Sequence, residues 1–335
     1  MKILVTGAAG FIGFHLSRLL VEQGHAVFGM DAMTAYYDPA LKQARLDILQ
    51  SMPGFSFERL DLTDAEALKA YVGQVGAEVV VHLAAQPGVR YSIENPASYI
   101  QSNVVGTANL LEALRASPPA HLIFASTSSV YGGNEHMPYA ETDRADAQLS
   151  LYAATKKAGE ALVHSYAHLW SIPSTCVRFF TVYGPYGRPD MALLKFARAI
   201  EAGRPIDVYG HGKMRRDFTY VSDLVTAMAS LMSKPPVQGN ASDADSLSPV
   251  APFRTVNIGG GHPAELMDFI AVLEDALGKK AILNMLPMQP GDVVATEADT
   301  RLLSGLVGAL PNTPLDVGVG KFVEWFRNYD GPSGG

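Results

Sequence analysis

The sequence predicts an α/β fold, in which a doubly wound parallel sheet of the Rossmann type carries a smaller mixed α/β C-terminal substrate domain. Apolar runs of strand length alternate with segments of helical periodicity, which is the order typical of βαβ units. Within each run nearly every residue is apolar, so both faces of the predicted sheet should be covered by helices. A sheet that is covered on both faces is expected to be parallel.

The elements of the first half follow one another in a regular rhythm. The predicted strands are Ile3–Thr6, Ala26–Met30, Phe55–Leu60, Val79–Leu83, Leu122–Ala125 and Thr175–Phe180. Helical periodicity follows them over segments such as Phe14–Gln23, Val105–Arg115 and Leu151–Leu169. Each strand is therefore predicted to lead into a helix on one face of the sheet.

The rhythm changes after residue 180, where we predict a domain boundary. A loop rich in Gly and Pro over 184–189 precedes a helix over Met191–Ala202, and the later elements are shorter. The segment Ser233–Arg254 is rich in Pro, Ser, Asp and Ala without periodicity, which predicts a mobile surface loop. The last helix, Val317–Tyr329, carries a core-facing apolar stripe. We expect one domain over 1–180, to which some later segments of the chain return, and a second domain over 181–335.

The composition excludes several classes of protein. The 335 residues include 26 Lys and Arg against 33 Asp and Glu, which gives a net charge of −7. The sequence has no stripe of Lys and Arg that could bind along a phosphate backbone, so nucleic acid is not an expected partner. The single cysteine, Cys176, can form neither an internal disulfide nor a cysteine metal site, and no metal is predicted. The chain enters an apolar strand at once and has no apolar run of membrane-spanning length, so we expect a cytoplasmic protein without membrane contact.

A glycine-rich segment lies directly after the first predicted strand and opens the first helix. At Gly7, Gly10 and Gly13 no side chain blocks a pyrophosphate from the backbone amides and the helix N-terminus. Asp31 ends the second strand, where a carboxylate accepts hydrogen bonds from the adenosine ribose and repels a 2′-phosphate. No arginine is adjacent, which favours NAD over NADP. Glycines in an ordinary tight turn are the alternative, and the position after the N-terminal strand argues against it.

Tyr152 and Lys156 are spaced so that they share one face of a helix. If this helix follows the fifth strand, Lys156 and a positive nicotinamide would lower the pKa of the Tyr152 phenol towards neutrality, so that it can act as a base. Lys156 could also hold the nicotinamide ribose. The alternative is a surface pair of a tyrosine and a lysine, which the glycine pattern upstream makes less attractive.

The order of these features resembles the short-chain dehydrogenase/reductase superfamily, which shares the Gly-x-x-Gly-x-x-Gly spacing. Asp61-Leu62 after the third strand resembles its adenine contact, His82-Leu83-Ala84-Ala85 its fourth-strand cofactor wall, and Asn103 its central helix asparagine. In this resemblance Thr127 aligns with the catalytic Ser or Thr, whose hydroxyl bonds the reacting oxygen. The expected catalytic residues are Thr127, Tyr152 and Lys156. The expected NAD-binding residues are Gly7, Gly10, Phe11, Ile12, Gly13, Asp31, Lys42, Asp61, Leu62, Leu83, Ala84, Ala85, Gln86, Asn103, Tyr152 and Lys156.

The second half resembles the nucleotide-sugar branch of that superfamily, the extended enzymes of the NAD-dependent epimerase/dehydratase family. The resemblance spans nearly the whole chain and makes 1–180 an NAD-binding domain and 181–335 a nucleotide-sugar-binding domain. Three stretches, 38–42, 86–92 and above all 179–191, are similar to UDP-glucuronate 4-epimerases. The implied substrate-binding residues are Arg90, Ser128, Ser129, Thr181, Arg188, Arg216 and Asp292. Among the departures, the family usually has Trp where Tyr186 stands.

In this resemblance each substrate contact has a role. Thr181, Ser128 and Ser129 would hold the hexuronate carboxylate. The two arginines Arg188 and Arg216 would bind the diphosphate, which suits the bidentate geometry of arginine. Asp292 would lie near the uridine ribose.

The same resemblance narrows the reaction. Related dehydratases have an Asp-Glu pair at the positions of Ser128 and Ser129, and related decarboxylases have a Glu at the position of Ser129. Hydroxyls at both positions imply 4-epimerisation of UDP-glucuronate to UDP-galacturonate through a transient 4-keto intermediate. The alternatives are a UDP-glucose/UDP-galactose 4-epimerase, a UDP-glucuronate decarboxylase and, outside enzymes, a non-catalytic NAD-sensing scaffold. Members of this branch usually pair through two long helices, here 95–115 and 151–169, so a homodimer is expected.

Overall fold

The computed structural model describes residues 1–241 and 245–329. In this part of the chain the strands are β1 Lys2–Thr6, β2 Ala26–Asp31, β3 Phe55–Arg59, β4 Val79–His82, β5 His121–Thr127, β6 Ser174–Phe179, β7 Thr181–Tyr183, β8 Pro205–Val208, β9 Arg215–Tyr220, β10 Phe253–Ile258, β11 Pro263–Glu265 and β12 Ile282–Met285. The helices are α1 Phe11–Glu22, α2 Pro39–Gln50, α3 Ala65–Val75, α4 Tyr91–Glu94, α5 Pro96–Tyr99, α6 Gly106–Ala116, α7 Leu151–Trp170, α8 Ala192–Glu201, α9 Val221–Met232, α10 Leu266–Leu277, α11 Arg301–Val307 and α12 Leu315–Tyr329.

The main sheet confirms the predicted Rossmann-type fold. Its order is β10-β6-β5-β4-β1-β2-β3, and every pair is parallel. The chain leaves β1 towards β2 on one side and returns to β4 on the other, so the strand order reverses between β1 and β4. The carboxyl ends of these two strands diverge there, and such a switch point is where open α/β sheets bind ligands.

The edge strand β10 comes from the second half of the chain. It begins at Phe253, so the predicted loop Ser233–Arg254 ends earlier than expected, and its residues 242–244 lie outside the described residues. Arg254 is buried on β10 and forms an ion pair with Asp245 at 2.8 Å, so the last part of that segment is anchored to the sheet. The division of the chain at residue 180 stays a prediction.

Two smaller sheets lie beyond the main one. Strands β11, β9 and β7 form the first, and β12 pairs in parallel with β8 in the second. Helix α12 packs a buried apolar face against this region, as its periodicity predicted. The central helix differs from its prediction, because a π-helical segment, Ile100–Val105, precedes α6.

Helix α7 lies unusually close to strand β5. The helix begins where the Ser150 side chain accepts a hydrogen bond from the backbone N–H of Ala153 at 3.2 Å. At Gly159 a Cβ atom would stand 2.4 Å from the Phe124 ring of β5, so any larger residue would have to displace that buried ring or the helix. The first turn of α7 is thereby fixed at the carboxyl end of β5.

A buried ion pair ties α7 to the neighbouring strands. Glu160 accepts two hydrogen bonds of 2.8 Å from Arg178 on β6 and one of 2.6 Å from the Ser126 hydroxyl on β5. Burial opposes ionisation of Glu160, but the hydrogen bonds and charge of Arg178 hold the pKa of this carboxyl below its usual value. The carboxylate is therefore charged at neutral pH and joins helix α7 to strands β5 and β6.

Replacing Glu160 with Ala should lower the free energy of unfolding by about 3–5 kcal/mol, because the Arg178 guanidinium is then left buried and unpaired. Urea unfolding at pH 7 measures this loss. The exposed Glu22, which pairs with Arg18 on α1, gives a matched control, and E22A should cost less than about 1 kcal/mol. Since the native pKa of Glu160 is depressed, its contribution is full at neutral pH and is lost as the pH falls through that pKa. Equal losses for E160A and E22A would contradict this account.

The structure places Cys176 in the core, fully buried. No helix within 1–241 and 245–329 combines the length and the apolar character needed to cross a bilayer. Over the same residues no group of three His, Cys, Asp or Glu side chains is placed to hold a metal ion.

Candidate active site

A cleft opens at the switch point of the main sheet. Residues from both halves of the chain line it. The members with sequence-predicted roles are Gly7, Gly10, Phe11, Ile12, Gly13, Asp31, Lys42, Asp61, Leu62, Leu83, Ala84, Ala85, Gln86, Thr127, Tyr152, Lys156 and Arg188. The structure thus brings the predicted catalytic group and nearly all of the predicted cofactor contacts together.

The glycine loop between β1 and α1 forms one end of the cleft. Gly7 has φ +73°, and a Cβ there would stand 2.8 Å from the backbone nitrogen of Ala84. A Cβ at Gly13 would stand 2.1 Å from the carbonyl oxygen of Gly7. The loop can therefore close tightly against the start of α1 only with glycine at these two positions, which leaves the helix N-terminus accessible to a pyrophosphate.

Asp31 lies at the end of β2, as predicted. Its Oδ1 accepts a hydrogen bond from the backbone N–H of Met33 at 2.7 Å and pairs with Lys42 Nζ at 3.3 Å. Lys42 also donates to the Thr34 hydroxyl at 3.3 Å. A carboxylate and an ammonium, both buried, thus stand side by side where an adenosine ribose would bind.

The wall after β4 is held by side chains that lie behind it. The Thr6 hydroxyl accepts hydrogen bonds of 3.1 Å from the backbone N–H groups of Leu83 and Ala84. Asn103 accepts from the Gln86 N–H at 2.7 Å and donates to the Gln86 carbonyl at 3.0 Å and the Thr155 hydroxyl at 3.0 Å. These bonds join the Gln86 backbone to α7, and the cofactor contact expected of Asn103 stays a prediction.

Lys156 is buried directly behind Tyr152. Its Nζ donates to the Ala125 carbonyl at 2.8 Å and lies 5.3 Å from the centre of the Phe124 ring. Burial lowers the pKa of this ammonium to about 8. The lysine is therefore held in one position by strand β5, which ends at Thr127.

The chain's own groups do not give Tyr152 the lowered pKa that the sequence predicted. Burial raises the pKa of this phenol, while the charge of Arg188 and a hydrogen bond with Thr127 oppose the rise. Lys156, whose Nζ donates to the Ala125 carbonyl, is not among the groups that lower this pKa. The positive charge of a bound nicotinamide, which belonged to the prediction, is the further contribution that would bring the pKa down.

The serine run after β5 forms a short 3-10 turn, Ser128–Tyr131. Thr127 begins this turn, accepts from the Ser129 N–H at 3.2 Å and donates to the Ser129 hydroxyl at 3.2 Å. Thr181 begins β7 and lines a smaller cavity, which shares Phe11 and Arg188 with the cleft. The side chains next to Thr127 therefore carry hydroxyl groups. An acidic side chain at this place would change the reaction that the site can perform.

Of the seven predicted substrate contacts, only Arg188 lines the cleft. Ser128, Ser129 and Thr181 lie outside its lining, and so do Arg90, Arg216 and Asp292, which lie around the loop 289–294. Arg90 pairs with Asp292 at 3.0 Å and stacks on the Tyr209 ring at 4.3 Å. Arg216 donates to the carbonyl oxygens of Val293 at 2.6 Å and Val294 at 3.0 Å. These three side chains hold the loop to the rest of the chain.

Sequence reasoning missed Arg45, Tyr36 and Asp190. Arg45 is fully buried behind the glycine loop, and Tyr36 donates to Asp190 at 3.0 Å beside Arg188. The available signal was an arginine on the apolar face of α2, where Leu41, Leu46 and Leu49 are buried. An arginine at such a place needs a specific partner.

Known proteins are similar to this chain in both sequence and structure. Residues 3–244 match the model of the NAD dependent epimerase/dehydratase family. A probable UDP-glucuronate 4-epimerase of Rhizobium meliloti is 53% identical over 334 residues, with 98% of each chain covered. UDP-glucuronate 4-epimerase 1 of Arabidopsis thaliana is 44% identical over 338 residues, which cover 99% of this chain and 78% of that protein.

Among solved structures, the UDP-glucuronic acid 4-epimerase from Bacillus cereus in complex with UDP-glucuronic acid and NAD superposes with a TM-score of 0.87. It is 34% identical in sequence, and the match covers 98% of this chain and 99% of that one. With the switch-point cleft, the glycine loop and the Tyr152–Lys156 pair in place, these likenesses establish that the chain belongs to the NAD-dependent epimerase/dehydratase family, the extended branch of the short-chain dehydrogenases/reductases.

Proposed function

We propose that this protein is an NAD-dependent UDP-glucuronate 4-epimerase, which interconverts UDP-glucuronate and UDP-galacturonate through a transient 4-keto intermediate without decarboxylation. The observation that carries the proposal is the group of Thr127, Tyr152 and Lys156 at the cleft, with hydroxyls and no acid at positions 128 and 129. Relatives with 53% and 44% identity bear the name of this activity.

The residues of the cleft fit NAD. The glycine loop and the start of α1 suit the pyrophosphate, Asp31 with Lys42 suits the adenosine ribose, and Asp61 and Leu62 lie where the adenine is expected. Bound NAD supplies the acceptor and donor of the C4 hydride. Tyr152 and Lys156 line the cleft from the opposite end, beside the wall formed by Leu83–Gln86.

Tyr152 is the proposed base and acid. Its phenolate takes the proton of the sugar 4-hydroxyl as the C4 hydride leaves, and later returns that proton to the 4-keto oxygen. The 4-keto sugar turns its other face before the hydride returns to C4, so that C4 is inverted without net redox change. The Thr127 hydroxyl, already in contact with Tyr152, positions the reacting oxygen. Lys156 supplies a buried positive charge next to this pair.

The 4-keto intermediate is a β-keto acid, which loses carbon dioxide when the bond to the carboxylate stands perpendicular to the carbonyl plane. We propose that Ser128, Ser129 and Thr181 bind the carboxylate as neutral donors of fixed direction and prevent this geometry. The bond between Thr127 and Ser129 supports the proposal, since it joins the carboxylate side of the site to the catalytic hydroxyl.

We further propose a cytoplasmic homodimer that pairs through α6 and α7. At the C-terminal end of α7 the apolar side chains of Leu169 and Trp170 are exposed, Leu169 to 62%. Arg115 stacks on the Trp170 ring at 4.8 Å, and Tyr166 bonds to Glu112 across the two helices. This ordered, partly aromatic face suits an isologous contact.

Incubation with UDP-glucuronate, followed by chromatography, tests the proposed function. The expected product is UDP-galacturonate. Y152F should lower kcat by about 10²–10⁴-fold, because the phenol oxygen that transfers the proton is gone. Y71F, on helix α3 away from the cleft, is a matched control that should keep the parent rate. Turnover of UDP-glucose alone, release of a UDP-pentose as the main product, or full activity in Y152F would contradict the proposal.

The carboxylate contacts have their own test. In S128A and T181A the carboxylate is less restrained, so a larger share of the 4-keto intermediate should lose carbon dioxide and appear as a UDP-4-keto-pentose. Mass spectrometry of the products and trapping of labelled carbon dioxide measure that share. If neither variant formed more of these products per turnover than the parent, the proposed restraint would be wrong.

A further inference from the structure

Arg45 carries a buried charge that the proposed reaction does not use. Its side chain is 0% exposed. Its guanidinium donates to the Ala9 carbonyl at 3.0 Å, the Tyr37 hydroxyl at 2.7 Å and the Tyr186 carbonyl at 2.7 and 3.2 Å. All these acceptors are neutral, and among the residues that the structure describes Arg45 forms no ion pair. Desolvating a cation without a counter-charge is costly, so simple packing does not account for an arginine at this position.

The Tyr186 carbonyl takes two of these bonds in an unfavourable backbone conformation. Tyr186 has φ +56°, in the left-handed region that residues with a side chain seldom adopt. Its ring packs on Phe14 at 4.9 Å and on Trp325 at 5.0 Å between ring centres. The forked contact from Arg45 stabilises the carbonyl direction that this conformation requires.

The residue before Tyr186 is held in the same way. His15, on α1, contacts the Pro185 carbonyl at 2.9 Å through Nε2. Burial lowers the pKa of His15 to about 4, so at neutral pH the ring is uncharged and the protonated Nε2 donates. Two helices next to the glycine loop therefore fix two consecutive carbonyls of the loop 184–190.

This loop ends in the arginine of the cleft. Arg188 follows Tyr186 by two residues, lines the cleft together with Tyr152, and pairs through two nitrogens with Asp190. Asp190 in turn accepts a hydrogen bond from Tyr36 at 3.0 Å. The place of the Arg188 guanidinium is thus set by contacts from the cofactor side of the molecule.

We propose that Arg45 is a positioning residue that acts through the Tyr186 carbonyl to hold Arg188 where it binds the diphosphate of the nucleotide sugar. Because Arg45 also bonds to Ala9 in the glycine loop, one side chain fixes the cofactor loop and the substrate arginine relative to each other. The inference takes the identity of the sugar from the proposed function. The role of Arg188 requires only that the ligand contains a nucleotide diphosphate.

A double-mutant cycle of R45M and R188M tests the proposal, with the dissociation constant of UDP measured by calorimetry and kcat and KM measured with UDP-glucuronate. R45M alone should raise the dissociation constant and KM by about 10-fold to 100-fold, the loss expected for a misplaced charge-assisted contact. The effect on kcat should be smaller than that on KM. In the R188M background, R45M should change UDP binding by less than about twofold, because the residue through which it acts is gone.

The controls separate positioning from folding. R18M makes the same chemical change on the exposed face of α1 and should leave every parameter at the parent value. R45K keeps the charge with a single nitrogen, so its effect should be intermediate and again absent with R188M. If R45M does not fold, R45K carries the same cycle.

Two results would overturn the inference. One is an equal loss of UDP affinity from the Arg45 substitution with and without Arg188, which would mean that Arg45 acts independently of it. The other is a fall in kcat at unchanged KM, the mark of a smaller folded fraction. Since UDP binding needs no turnover, a protein that binds UDP in the expected pattern but does not convert UDP-glucuronate would refute the proposed function and leave this inference standing.

Discussion

Helix α7 approaches strand β5 so closely that the hydrogen of Gly159 faces the Phe124 ring, and the position of the Tyr152–Lys156 pair depends on this approach. It brings Lys156 within 2.8 Å of the Ala125 carbonyl and places Glu160 between Arg178 and Ser126. Three residues of one helix, Lys156, Gly159 and Glu160, thus fix it to the sheet. Tyr152, in its first turn, is set at the carboxyl end of β5 beside Thr127, where the switch-point cleft opens.

Much of this could be predicted from the sequence, because the signals are local. The glycine loop, Asp31 at the end of β2 and the Tyr152–Lys156 spacing each lie within one βα unit, and their order fixes their place on a parallel sheet. Strand β10 was not predicted, because it contains polar residues. Its Arg254 is neutralised by Asp245 and its Asn257 is bonded to the Tyr131 hydroxyl, and neither contact leaves a periodic pattern in the sequence.

The contacts that join the two halves could not be predicted for a related reason. Arg45 and Tyr186 are 141 residues apart, and the left-handed conformation of Tyr186 has no glycine or asparagine to signal it. The pKa of Tyr152 was predicted from the charges of Lys156 and of a bound nicotinamide, whereas burial has the largest effect in the folded chain. The net charge of −7 was also a poor guide to the ligand, since the proposed anion site depends on a few local donors such as Arg188.

In the proposed reaction, C4 of UDP-glucuronate is inverted by removal and return of the same hydride within one closed site. UDP-glucuronate labelled with deuterium at C4 tests this step, with the label followed by NMR in substrate, product and water. We expect UDP-galacturonate to retain the deuterium at C4 and none to reach the solvent. Loss of the label to water during turnover, or its appearance at another carbon, would show that the hydride is not returned to C4.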